Sequence, residues 1–171
     1  VIGSSDHALY AIDLKRRQKS RTLYTKADGH KEWVTCVTHL EDGRVLSGGM
    51  DSALWLWNKA GSQGKALTGH SGSITDVCAC KGSGLAVTGA YDGHVMVWDV
   101  TKHPARAAQS TLRGHNAPIT CLTLGDNGEI LSGDRDGKLV LWDLGGGCET
   151  RRLTGHRGHV TSVTWLEGHV M

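Results

Sequence analysis

Histidine, a hydroxyl residue, aspartate and tryptophan recur at fixed offsets along this 171-residue chain. A serine or threonine stands four residues before an aspartate, and that aspartate stands six before a tryptophan: Ser47, Asp51 and Trp57; Thr88, Asp92 and Trp98; Ser132, Asp136 and Trp142. A histidine precedes each set, at His30, His70 and His115. Histidine, hydroxyl and carboxylate are the types of a nucleophile activated by an oriented base. One catalytic centre needs one such set, however, and three sets with identical spacing read as architecture. Metal chemistry fares no better. Cys78-Ala79-Cys80 would aim both thiols at one face of a strand, and His156-Arg157-Gly158-His159 offers two imidazoles, but neither has the paired spacing of a structural zinc site. Gly145-Gly146-Gly147 lacks the Lys and Ser/Thr of a nucleotide-binding loop and precedes a strand instead of a helix. No catalytic residue, metal or cofactor is expected.

The elements that carry these residues follow from the spacing. Gly-His pairs at 29, 69, 114 and 155 lie 40, 45 and 41 residues apart. Each is followed, after three residues, by Val34-Thr35, Ile74-Thr75, Ile119-Thr120 or Val160-Thr161. Alternation of period two is clear in Ala53-Leu54-Trp55-Leu56-Trp57 and in Val95-Met96-Val97-Trp98, and it predicts short strands. In the second copy they fall near 34–39, 44–48, 53–57 and 65–67. Asp42-Gly43, Gly82-Ser83-Gly84 and Asn127-Gly128 sit between apolar runs and suit tight turns. With 24 glycines, two prolines and almost no helical periodicity, the chain reads as all-β.

The Gly-His to Trp-Asp punctuation, at a period of roughly 40–45 residues, resembles the WD-repeat, or beta-transducin-repeat, family over essentially the whole chain. The resemblance implies a β-propeller of four-stranded antiparallel blades: a partial first blade over 1–28, blades over 29–68, 69–113 and 114–154, and the start of another over 155–171. A single blade cannot bury both faces, so neighbours share a core. The chain reads as an open arc cut from a larger ring, with a closed four-bladed ring as the alternative. The family also implies that His30, Ser47, Asp51 and Trp57 form a structural network, as do His70, Thr88, Asp92 and Trp98, and His115, Ser132, Asp136 and Trp142. In each, the turn aspartate accepts from the imidazole, the imidazole meets the hydroxyl, and the hydroxyl meets the indole N–H. The first copy is degenerate, with Ile2 and Ile12 at the hydroxyl and tryptophan positions. The loop before His30 carries an insertion near Thr25 to Asp28.

A net charge of +2 does not demand a polyanionic partner, and no apolar run approaches the ~20 residues of a membrane span. Five cysteines in no framework read as buried free thiols of a reducing compartment, so the chain is placed inside the cell, in cytoplasm or nucleus. Lys15 to Arg21 packs five basic residues and reads as a solvated hairpin tip, with a nucleic-acid contact as the alternative.

In a four-stranded meander the Gly-His loops and the aspartate turns share one end. Just before each aspartate stand Ser5, Met50, Tyr91 and Arg135, and just before each Val/Ile-Thr pair stand Trp33, Ser73, Pro118 and His159. The copies agree in their structural residues and differ at these eight. The resemblance implies that such positions border the central channel and contact ligands. The expected function is a non-catalytic scaffold binding a protein or peptide on that rim, without a small-molecule substrate. A narrower alternative is a ubiquitin-ligase substrate receptor. The family's Trp-Asp-x-Arg ligase-docking pattern is absent from Trp98-Asp99-Val100-Thr101 and Trp142-Asp143-Leu144-Gly145.

Overall fold

The computed structural model describes residues 1–23, 29–125, 127–166 and 169–170. Its strands fall into successive antiparallel sheets that keep sequence order. The first sheet holds β1 (Ile2–Gly3), β2 (Leu9–Asp13) and β3 (Gln18–Leu23). The second holds β4 (Val34–His39), β5 (Val45–Gly49), β6 (Leu54–Trp57) and β7 (Gly64–Leu67). The third runs through β8 (Ile74–Ala79), β9 (Leu85–Ala90), β10 (His94–Asp99) and β11 (Ala108–Arg113), and the fourth through β12 (Ile119–Leu124), β13 (Glu129–Asp134), β14 (Leu139–Asp143) and β15 (Cys148–Leu153). A two-stranded piece, β16 (Trp165–Leu166) and β17 (His169–Val170), follows. The one helical element among the described residues is a 3-10 turn at Pro104–Arg106. The sheets lie side by side, β1 against β4, β4 against β8 and β8 against β12, in an arc that does not close.

Both faces of a central sheet are buried, so its strands are apolar nearly throughout while their side chains still alternate. In β9 and β10, Ala86, Ala90, Met96 and Trp98 face the second sheet and pack with Leu46, Leu54, Leu67 and Ile74. Val87, Val95 and Val97 face the fourth, where Ile119, Leu122, Ile130 and Trp142 meet them. Leu9, Val34, Val45, Trp55 and Trp57 fill the seam between the first two sheets. Every seam also requires a glycine where the next innermost strand comes closest. A Cβ at Gly48 would lie 2.5 Å from Ile74 Cγ2, and one at Gly89 would lie 2.6 Å from Ile119 Cγ2.

Hydroxyls stitch the same seams. The innermost strands β4, β8 and β12 each shift register at their threonine, which frees its side chain from regular pairing. Thr75 Oγ1 lies 2.9 Å from both Gly89 O of its own sheet and Ile119 O of the next. Thr35 and Thr120 reach Ile74 O and Val160 O in the same way.

Two expectations need correction. The basic run is not wholly a hairpin tip: Lys15, Arg16 and Arg17 lie in the turn, but β3 already begins at Gln18, because the pairing of Asp13 with Gln18 closes the hairpin there. Cys148 is an exposed thiol on the outermost strand of its sheet, where one face meets solvent. The others are half-buried or buried, and burial pushes the Cys36 and Cys78 thiols up to about 12, leaving both protonated. The expected insertion at Thr25 to Asp28 lies outside the described residues, as does Met171.

Candidate functional site

The repeated polar residues form linear chains of hydrogen bonds within the second, third and fourth sheets. In the third, the Trp98 indole N–H donates to Thr88 Oγ1 at 2.8 Å, Thr88 lies 2.7 Å from His70 Nε2, and His70 Nδ1 lies 2.9 Å from Asp92 Oδ2. The second sheet repeats this with Trp57 to Ser47 at 2.9 Å, Ser47 to His30 at 2.8 Å and His30 to Asp51 at 3.0 Å. Indole is a donor only and a carboxylate an acceptor only, so the direction is set at both ends. The hydroxyl accepts from indole and donates to Nε2, and Nδ1–H donates to aspartate. Ser47, Thr88 and Ser132 are all 0% exposed. A hydroxyl that is sealed from solvent and already donating its proton cannot meet a substrate carbonyl, so this geometry is unsuited to acyl transfer.

Asp51 and Asp92 also fasten the Gly-His loop to the turn. Asp92 accepts from Ser71 N at 2.9 Å and His94 N at 3.0 Å, and Asp51 accepts from Lys31 N at 2.9 Å. Burial works to raise both carboxyls, but these N–H donors and the imidazoles outweigh it and hold them below the ordinary 3.8.

The fourth sheet departs from the expected set. His115 Nε2 meets Ser132 at 2.7 Å and Trp142 donates to Ser132 at 2.8 Å, but His115 Nδ1 pairs at 2.7 Å with Asp134, not Asp136. Asp134 is 0% exposed and also accepts from Asp136 N and Lys138 N, both at 2.9 Å. Asp136 itself is exposed. The reason is steric. Gly49 and Ala90 hold the position two residues after the hydroxyl in the other sheets, and a Cβ at Gly49 would already lie 2.4 Å from the His30 ring. A carboxylate grown from that position in the fourth sheet reaches the imidazole first. An aspartate where the other copies have small residues was the available sequence signal.

Burial, opposed only in part by the paired aspartates, lowers His70 and His115 below the ordinary 6.5. With the folded value below the unfolded one, the unfolded chain takes up protons first as pH falls. The neutral rings therefore contribute stability that is present above about pH 6.5 and lost as pH falls through the lower folded values. A melting temperature that holds between pH 8 and 7 and then drops by pH 5 is the expected result. Scanning calorimetry showing no change over that interval would contradict it.

The same end of the arc carries the variable residues. Backbone bonds fix them in pairs: Met50 N to Trp33 O at 2.9 Å, Tyr91 N to Ser73 O at 2.9 Å and Arg135 N to Pro118 O at 3.0 Å. Ser73 Oγ reaches across the seam to Met50 O at 3.3 Å, and the Arg135 guanidinium lies over the Tyr91 ring, 5.8 Å from its centroid. Trp33, Met50, Tyr91 and Arg135 thereby form one exposed row over three sheets, with the first three 55%, 46% and 50% accessible. Ser73 and Pro118 sit half-buried beneath the row, and Ser5 and His159 are exposed beyond its two ends. Among the described residues no helix is long and apolar enough to cross a membrane.

Comparison with known proteins agrees with the repeats and the four-stranded sheets. The family model described as WD domain, G-beta repeat, matches residues 19–58, 61–99 and 107–143. The chain is 29% identical to Autophagy-related protein 16 of Arabidopsis thaliana, over 95% of this chain and 31% of that protein. It is 32% identical to F-box/WD repeat-containing protein 9 of Bos taurus, over 88% and 33%, and 28% identical to Telomerase protein component 1 of Mus musculus, over 95% and 6%. It thus spans about a third or less of these relatives. The crystal structure of a computationally designed protein, Ika8, superposes with a TM-score of 0.83 at 26% identity, over 98% of this chain and 50% of that one. Three matched repeats, sheets of four antiparallel strands and the recurrent indole-to-carboxylate networks together show that this chain belongs to the WD domain, G-beta repeat, family.

Proposed function

We propose that this chain is a non-catalytic scaffold that binds a protein or peptide on the end carrying Trp33, Met50, Tyr91 and Arg135. The continuity of that row carries the reading. Large exposed apolar side chains placed side by side on a rigid surface mark interaction sites, whereas isolated ones do not. Trp, Tyr and Arg dominate interface energetics, and Met adapts to irregular partners. Ser5, Ser73, Pro118 and His159 complete the proposed rim, the half-buried Ser73 and Pro118 acting through the backbone bonds that hold the row. The scaffold works inside the cell, a reading supported by five cysteines in no paired framework.

Alanine at Trp33, Tyr91 or Arg135 should weaken partner capture by about 1–4 kcal/mol each, the range of interface hot spots, and leave the melting curve nearly unchanged. Alanine at Lys15, Arg16 and Arg17, at the opposite end, should leave capture intact. Capture lost with the basic set and kept with the rim set would move the site to that end and favour nucleic acid. A narrower reading, the substrate receptor of a ubiquitin ligase, is favoured by the similarity to F-box/WD repeat-containing protein 9. Arg135 is the single arginine of the proposed rim, which does not suit a receptor for multiply phosphorylated segments.

A further inference from the structure

We infer that the partner on this rim is a linear peptide that carries an apolar side chain near an aspartate or glutamate, and that Arg135 reads the acid; this rests on the rim reading above. The row changes character along its length. Trp33, Met50 and Tyr91 supply apolar surface from the second to the third sheet, and Arg135 then brings a guanidinium over the Tyr91 ring. Lying over the ring within cation–π reach, the guanidinium keeps N–H groups that can donate two parallel hydrogen bonds to a carboxylate.

No carboxylate forms an ion pair with Arg135 among the described residues. Asp92 is engaged with His70, Ser71 N and His94 N, and Asp134 with His115, Asp136 N and Lys138 N, while Asp136, next to Arg135 in the chain, is exposed and forms no ion pair with it. The turn after Arg135 packs on the loop bearing His156, Arg157 and His159, so close that a Cβ at Gly137 would lie 2.5 Å from His156 O, and this sets a second guanidinium, that of Arg157, next to the proposed rim. All three of those side chains are exposed, and 154–166 contains no acid. Arg135 and Arg157 outnumber Asp136 among the exposed charges there, so an acidic residue suits this end better than a basic one. Single-stranded nucleic acid fits less well, because the cation already occupies the Tyr91 face and Met50 offers no stacking plane.

The test is selection of random displayed peptides on the whole chain, repeated on Arg135→Glu and Trp33→Ala, with each variant first shown to melt like the parent. The wild type should enrich peptides with an apolar residue near an Asp or Glu. Arg135→Glu should weaken them by about tenfold or more, the effect of losing one charge-assisted pair, and should itself enrich Lys or Arg at that position. Enriched peptides without acidic bias, or with affinity unchanged by Arg135→Glu, would overturn the inference while leaving the rim reading in place. If no selected peptide is weakened by Trp33→Ala, the rim reading fails and the inference with it. A single-stranded RNA that displaces the peptides at a lower concentration than they displace one another would assign the row to nucleic acid instead.

Discussion

Trp98→Ala should lower the stability of this chain by about 3–5 kcal/mol, the cost of emptying a large aromatic site that cannot collapse. Trp98 is 1% exposed and sits in the seam between the second and third sheets, against Leu46, Leu54, Ile74 and Val100. Those neighbours belong to two different sheets whose backbones are fixed by their own pairing, so they cannot move together into the space. A second loss adds to the first. The indole N–H is one end of the chain through Thr88 and His70 to Asp92, and its removal leaves the Thr88 oxygen without its buried donor. Trp98→Phe separates the two contributions, because it keeps much of the ring volume but not the N–H. It should cost less than alanine and more than the ~1 kcal/mol typical of a single hydrogen bond. Denaturant melts would show both. An alanine variant as stable as the parent would mean that the tryptophan does not hold the seam.

The strand plan was legible because the features that fix it are local. Asp-Gly and Gly-Ser-Gly turns, together with period-two alternation, put strands near 34–39, 44–48, 53–57 and 65–67, and the second sheet has them at 34–39, 45–49, 54–57 and 64–67. The residues that join one sheet to the next were harder to read. Thr35, Thr75 and Thr120 stood out in the sequence only as regular marks. Their stitching role depends on a carbonyl about forty residues away, in the next sheet, brought near by a register shift that leaves no compositional trace. The rim behaves in the same way. Tyr91 and Arg135 each precede an aspartate-bearing turn, but the contact between them exists only because the third and fourth sheets lie side by side, β8 against β12. Spacing can place residues on one end of such an arc. It cannot say which of them touch, nor that Ser73 and Pro118 lie under the row instead of on it.

Asp134→Ala should destabilise by about 3 kcal/mol, toward the upper end of the range for a buried donor left unpaired, while Asp136→Ala should stay within about 0.5 kcal/mol of the parent. The repeat spacing points to Asp136 and the geometry to Asp134, so the two variants decide between them. Removing the Asp134 side chain strips the His115 ring of its acceptor and releases the N–H groups of Asp136 and Lys138, which it ties into the turn. Water can reach the turn amides more easily than the ring, whose side chain is 0% exposed, so the imidazole carries most of the cost. Asp136, already in solvent, has no comparable role. An intermediate variant sharpens the comparison. Asp134→Asn keeps an acceptor oxygen for Nδ1–H but gives up the charge, so it should recover part of the loss. Urea melts of the three variants, with the histidine ring proton shifts of His115 followed by NMR, report both stability and the local bond. If Asp136→Ala proves the damaging change and Asp134→Ala the mild one, the fourth sheet uses the same turn aspartate as its neighbours, and the steric argument from Gly49 and Ala90 is wrong.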